Sequence, residues 1–462
     1  MSIEFIKHSA IVCFLFVIAS IYSFAQPGAT KDKSLYYDYG QGFFIEIHFF
    51  PDESPDSIQV YVFYRISNNH LIFAKNPDVF DIKKQFISAY RINVEFKDSE
   101  GIIQGRLSKT DTLNAANYED SRSKLIFKYG SFSTRLKSGS YTLYVDLYDA
   151  NNKRIADIKP LVTPKYDFYN KEMVSQPLFV AKEPGNDEKY IPFYLDGNIS
   201  FKTENAFALL PVTFIEGKSQ FSYEIIYQKV DKDNRPWGKF QKKTGTVSPL
   251  TGKTLTSQNF SLNNPAELVF TNETLNNNGR QAGFLIIDME ANNLIPGKYV
   301  LKIINRSSGD SSTFDFQVIW ENMPLSLYNP EYALSIMYYI LTDDEYDKLN
   351  KGNLSEMFIN ILNYWQKRDP TPFTTYNEEM NEYFTRVDYA FINFQTATST
   401  DGAKTEMGKI YILHGKPSNT DRTLTEGKAT EIWTYNNLKK QFVFVTQSSG
   451  EFKLTEIRDL AD

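Results

Sequence analysis

Three residues near the C-terminus, Glu406, His414 and Asp421, are of types that do chemistry. His414 stands beside Gly415 at the predicted end of a strand, a place that suits a general base, and Asp421 or Glu431 could orient it. With Glu406 as a further carboxylate, such a cleft would suit a hydrolase or transferase acting on peptide or glycan. Each residue also has a plainer role. A strand-end histidine commonly packs or faces solvent, and Thr405 with Glu406 can cap a turn or bind backbone N–H groups. Glu406 can also pair with Arg386 or Arg368 to hold a helix against a sheet; if buried, breaking that pair would cost about 3–5 kcal/mol. Structural duty is the leading expectation for Gly402 and Gly415, as turns needing positive φ, and for Pro417, which stiffens the strand exit.

No other reactive centre is legible. The sequence holds no G-x-S-x-G, H-E-x-x-H, Walker or dinucleotide fingerprint. Past the leader the histidines are His48, His70 and His414, scattered over two regions, which argues against a three-histidine zinc site. Asp343-Asp344-Glu345 lacks the alternating spacing of a calcium loop and reads as first-turn acids favouring a helix N-terminus. No metal and no cofactor is therefore expected.

The elements that must carry these residues follow an export leader. Lys7 and His8 precede an apolar run from Ala10 to Ile21, and Ser23-Phe24-Ala25 offers small residues at a cleavage site before Gln26. Twelve residues reach only about 18 Å as a helix, short of a bilayer core, so residues 1–25 are expected to be cleaved. The only cysteine, Cys13, lies there, which removes disulfides and thiol chemistry from the mature chain. Val12 and the continuing apolar run argue against Cys13 as a lipid-attachment site. No later stretch reaches 18 apolar residues, so no integral span is expected after cleavage. A net charge of −6 with no basic run removes the electrostatic case for nucleic acid.

From Ser34 to about Val162 the hydrophobic pattern has period two. Residues 43–49 and 58–64 alternate or run apolar with Pro51 and Ser54-Pro55-Asp56 between them; residues 90–96 and 141–147 alternate cleanly before turns. Many short strands without a convincing helix predict an immunoglobulin-like sandwich over 26–162. Leu136-Lys137-Ser138-Gly139-Ser140-Tyr141 is echoed by Leu294-Ile295-Pro296-Gly297-Lys298-Tyr299, which predicts a second sandwich over 191–320, beyond a proline-bearing linker at 163–190.

After Trp320 the period becomes helical. Asn329-Pro330 predicts an N-cap and first helical position, Thr342 with Glu345 a capping box, and residues 354–365 a one-faced helix. These form a helical segment over 321–372. Thr375 with Glu378 predicts another capping box opening a helix through Phe394. Strands are predicted at 409–414, 431–435, 441–445 and 452–454, giving a small α+β domain over 373–462.

Here the chain resembles a known family. Trp365, Arg368, Asp369 and Pro370, then Asn377 and Glu378, then Arg386 and Tyr389, then Gly402, Thr405, Glu406, Gly408, Tyr411, Gly415 and Pro417, with Trp433 beyond, look like the GWxTD domain of exported bacterial proteins frequent in the Bacteroidetes. The resemblance covers about 325–458. Ala403 stands where that family has Trp, and Glu406 where it has Asp. The family is a domain of unknown function, so the resemblance implies architecture and export to the periplasm or cell envelope, with no reaction attached. The expectation is a mainly β, multidomain envelope protein that binds or scaffolds an envelope protein partner without catalysis; the alternative is the envelope hydrolase or transferase described above.

Overall fold

The computed structural model describes residues 42–76, 81–183, 185, 189–228, 242–258, 265–425 and 428–460. The expected leader with Cys13, and the start of the first predicted sandwich to Gln41, lie outside the described residues.

The chain is mainly β, and its sheets stack in layers. Phe43–Pro51, Ser57–Ser67 and Phe127–Lys137 form a three-stranded antiparallel sheet. Phe86–Lys97 is the hub of a five-stranded sheet with Ile103–Ala115, Thr142–Asp149, Arg154–Val162 and Ala74–Lys75. Ile45, Ile47, Val60 and Val62 meet Ile92, Val94, Val145 and Leu147 in the core between these two sheets. Alternation in Phe86–Lys97 fits that single buried face.

Phe43–Pro51 does not alternate, because all nine of its residues are buried. Its sheet has a second covered face: Phe50, Tyr61 and Phe63 pack on Leu178, Val180, Leu209, Leu268 and Phe284 of a nine-stranded sheet. The Tyr61 hydroxyl donates to the Leu255 carbonyl at 2.9 Å across the same contact. A strand covered on both sides reads as a continuous apolar run. The stretch 163–190, expected as a linker, supplies Leu178–Lys182, an inner strand of the nine-stranded sheet, and Met173–Val174 beside Ala206–Phe214. Pro184, Asn186 and Asp187 of that stretch lie outside the described residues.

The far face of the nine-stranded sheet meets Gly297–Asn305, Phe221–Gln228 and Ser311–Ile319 of another five-stranded sheet. The predicted echo has a structural counterpart. Tyr141 donates its hydroxyl to the Lys137 carbonyl at 2.6 Å, and Tyr299 donates to the Ile295 carbonyl at 2.8 Å, each four residues upstream.

Five helices follow. Helix α1 (Pro330–Met337) is capped by Asn329, α2 (Asp343–Leu349) by the Thr342/Glu345 box, and α3 (Leu354–Gln366) by a second box from Asn353 and Glu356. The cap of α4 (Glu378–Asn393) is Asn377, not Thr375. Thr375 is held away by its hydroxyl, which donates to the Leu294 carbonyl at 2.5 Å, and Glu378 accepts instead from Thr371 at 2.6 Å.

The strand predicted at 409–414 is helix α5 (Glu406–His414). An apolar run this short does not discriminate strand from buried helix, and here the Thr405 cap and tight tertiary contact override the β preference of Ile410-Tyr411-Ile412. A four-stranded antiparallel sheet of Asn419–Thr425, Lys428–Tyr435, Lys440–Thr446 and Phe452–Asp459 closes the chain. Met407 and Ile410 of α5 pack with Trp433, Tyr435, Phe442 and Phe444 of that sheet.

Candidate functional site

The turn before α5 explains where the motif residues go. Asp401 accepts from the Ala403 N–H at 3.1 Å and from the Tyr332 hydroxyl at 3.1 Å. Thr405 donates to the Gly402 carbonyl at 2.8 Å and accepts from the Gly408 N–H at 3.0 Å. Gly402 has no positive φ, contrary to expectation; only Gly415, at φ +76°, fits that reading. Gly402 is required by close approach, since a Cβ there would strike the Ala390 carbonyl at the end of α4. Ala403 is fully buried in the shared core.

Glu406 does not pair with Arg386 or Arg368. Its carboxylate accepts from the Leu454 N–H at 2.5 Å and lies 3.4 Å from Lys453, tying the start of α5 to the last strand. Arg386 pairs with Glu382 at 2.8 Å, and the Arg368 guanidinium lies 3.7 Å from the Tyr364 ring centre and 3.7 Å from Glu345. Glu406 and His414 stand at opposite ends of α5, roughly 12 Å apart for nine helical residues. Asp421 lies exposed on the first strand of the last sheet, accepting from Asn419, and Glu431 accepts from the Trp433 indole at 2.8 Å. The three predicted catalytic residues are not brought together.

His414 stacks on Phe442, with ring centres 5.4 Å apart, and meets Tyr435 edge-on. Burial, and then the Arg386 charge, hold its pKa below the ordinary histidine value. The folded chain thus binds fewer protons at this site than the unfolded chain as pH falls below about 6.5. The stability this histidine contributes is present above that value and is lost as pH falls toward the lowered one. Replacing it by phenylalanine, His414→Phe, should keep the stacking and flatten the decline in urea midpoint between pH 7 and pH 5. An equally steep decline in the variant would refute this role.

Of the other motif residues, Trp365, Asp369 and Asn377 line a cavity. Asn377 donates to the Trp365 carbonyl at 2.8 Å, and Asp369 accepts from the Thr371 N–H at 2.9 Å, fixing the return from α3 to α4. Tyr389 stacks on Tyr411 at 4.5 Å, and Trp433 sits in the last core. Between this return and the sheets before it lies a cavity of about 440 Å³ lined by Phe201, Ile295, Trp320, Leu362, Trp365 and Met380, among others. It is mostly apolar and of a size that takes a side chain or small ligand. Trp365 is buried, and its indole N–H has no acceptor among the described residues. A buried donor left unmade is costly, and an incoming carbonyl would satisfy it.

Sequence reasoning placed Trp365, Asp369 and Asn377 in a motif but missed Phe201, Ile295 and Trp320, which lie in other elements. No short-range signal joins them. His48, His70 and His414 stay apart, and among the described residues no cluster of three or more His, Cys, Asp or Glu is placed to hold a metal ion. Among them, too, no helix is long and apolar enough to cross a membrane.

Residues 297–458 match the family model of the GWxTD domain, so the match begins at Gly297, upstream of the resemblance read from motifs. No curated protein matches the chain. Among solved structures it is similar to the full-length major pilin SpaD from Corynebacterium diphtheriae, at 10% identity over 50% of this chain and 60% of that one, with a TM-score of 0.12. The chain thus spans about 60% of the length of that pilin.

Proposed function

Since this chain carries a GWxTD domain over residues 297–458, we propose that it is an exported envelope protein whose C-terminal third docks a protein partner without catalysis. The observation that carries the reading is the cavity walled by Trp365, Trp320 and Phe201, with the unpaired Trp365 indole N–H. It suits a segment of polypeptide that inserts an apolar side chain and offers a backbone carbonyl. Export is supported by the Lys7-His8, Ala10–Ile21 and Ser23-Phe24-Ala25 pattern. The layers upstream read as two immunoglobulin-like sandwiches. The paired corners at Tyr141 and Tyr299 support this, because a tyrosine hydroxyl bonding a few residues back is a hallmark of such sandwiches. They act as the rigid mount for the docking end.

Site-specific photo-crosslinking in cells tests the reading. A photoreactive residue at Ile359, on the cavity rim and 38% exposed, should give one discrete protein adduct. Asn363→Arg, an exposed change at the mouth, should abolish it while leaving the fold intact. No adduct in any growth phase, or an adduct indifferent to Asn363→Arg, would overturn the proposal.

A further inference from the structure

Phe43–Pro51 is an edge strand of the three-stranded sheet, and residues two apart on it share a face. Glu46 and His48 are such a pair. Their side chains are 4% and 3% exposed, and His48 Nε2 lies 3.4 Å from Glu46 Oε2. Glu46 Oε1 and His48 Nδ1 have no hydrogen-bond partner among the described residues. Both residues line a second cavity of about 440 Å³, which Asp196 and Asp315 also border, with Tyr166 and Phe314 among its apolar walls.

The unpaired atoms define the ligand. His48 Nε2 faces Glu46, and the ring tautomer that donates there presents Nδ1 as an acceptor. The free Glu46 oxygen is also an acceptor. Two buried acceptors beside two further carboxylates call for a group that only donates. Among the described lining residues there is no lysine or arginine to supply it. Asp196 stands exposed at the cavity mouth, and its partly desolvated surroundings, then the Glu46 charge, push its pKa up to about 6 against an opposing pull from His48.

We propose that this cavity binds an organic cation, an ammonium or guanidinium on an apolar stem, with Glu46 and His48 as its buried acceptors. The head would donate to Glu46 Oε1 and His48 Nδ1, its charge would be balanced by Asp196 and Asp315, and the stem would lie on Tyr166 and Phe314. This site is separate from the Trp365 cavity, so it stands whether or not that one docks a partner.

Calorimetric titration of the purified chain tests the assignment with two guanidinium sources, agmatine and a blocked tripeptide ending in arginine amide. Butylurea serves as a neutral isostere. At least one guanidinium probe should bind saturably and butylurea should not; whichever guanidinium binds more tightly identifies a free amine or a protein chain as the source. Glu46→Gln should weaken binding by about tenfold or more, the range of a hydrogen bond to a charged group. Asp315→Lys changes an exposed residue at the mouth and should weaken binding similarly without threatening the fold. No saturation by either guanidinium up to about 10 mM, well past millimolar affinity, would overturn the proposal. So would binding unchanged in a folded Asp315→Lys variant, or stoichiometric calcium binding in place of the guanidinium.

Discussion

Gly408→Ala should destabilise the protein by about 3 kcal/mol, although alanine is the better helix former by roughly 1 kcal/mol. The reversal of sign follows from backbone against backbone. A Cβ on Gly408 would overlap the Gly402 carbonyl oxygen and lie 3.0 Å from Ala403 Cα. These are main-chain atoms that no rotamer change can move. Nor can the turn retreat, because a Cβ-less Gly402 already sits against α4, where its missing Cβ would be 2.7 Å from the Phe394 carbonyl carbon. Urea unfolding, with hydrogen exchange read on the α5 and Lys440–Thr446 amides, should show the loss at these elements. Lys409→Ala, one residue on and exposed, should stay within about 0.5 kcal/mol of the parent. A Gly408→Ala protein as stable as the parent would mean that α5 does not dock on the Gly402 turn.

The same contact shows why the sequence misled at α5. Ile410-Tyr411-Ile412-Leu413 has the residue types of a strand, and the local clue to a helix, Thr405 as cap, is a single residue. What decides the matter is the approach of α5 to residues brought in by α4, a contact that no window on the chain contains. By contrast Asn329-Pro330 and Thr342 with Glu345 were legible, because a cap and its N–H partner lie within three residues of one another. Thr375 with Glu378 had the same spacing and failed, since distant Leu294 claims the threonine hydroxyl.

Layering was half legible for a similar reason. The apolar run at Phe43–Phe50 carried the mark of a strand covered on both faces, but Glu46 and His48 interrupt it, and residues 43–49 read equally as alternating. Their burial is what the physics of a solitary sandwich does not anticipate. It arises because the nine-stranded sheet covers the face they share with Phe50. Both cavities lie where separate elements meet, which is why motif reading found one wall of the first and none of the second.

The tie between the first two layers carries the other large expected effect. Lys128, on Phe127–Lys137, has a side chain only 1% exposed, and its ammonium lies 3.4 Å from Asp111 on Ile103–Ala115 of the facing sheet. Burial pushes the Lys128 pKa down, while Asp111 pulls it back up. Asp111→Ala removes the partner and leaves a buried cation uncompensated, which should cost about 3–5 kcal/mol at pH 7. Replacing both, Asp111→Leu with Lys128→Met, should recover most of that loss, because two apolar groups of similar volume avoid the desolvation altogether. The sign with pH is fixed. In the Asp111→Ala protein the Lys128 pKa falls further below its ordinary value, so the folded state binds fewer protons than the unfolded chain between the two values. Stability there rises with pH, and the deficit of the single variant should shrink between pH 7 and pH 10. Urea unfolding of the parent, the single and the double variant at both pH values measures each term. A single-variant loss below about 1 kcal/mol, or a deficit constant across that range, would show that the ammonium finds water once Asp111 is gone and that the pair does not clamp the two sheets.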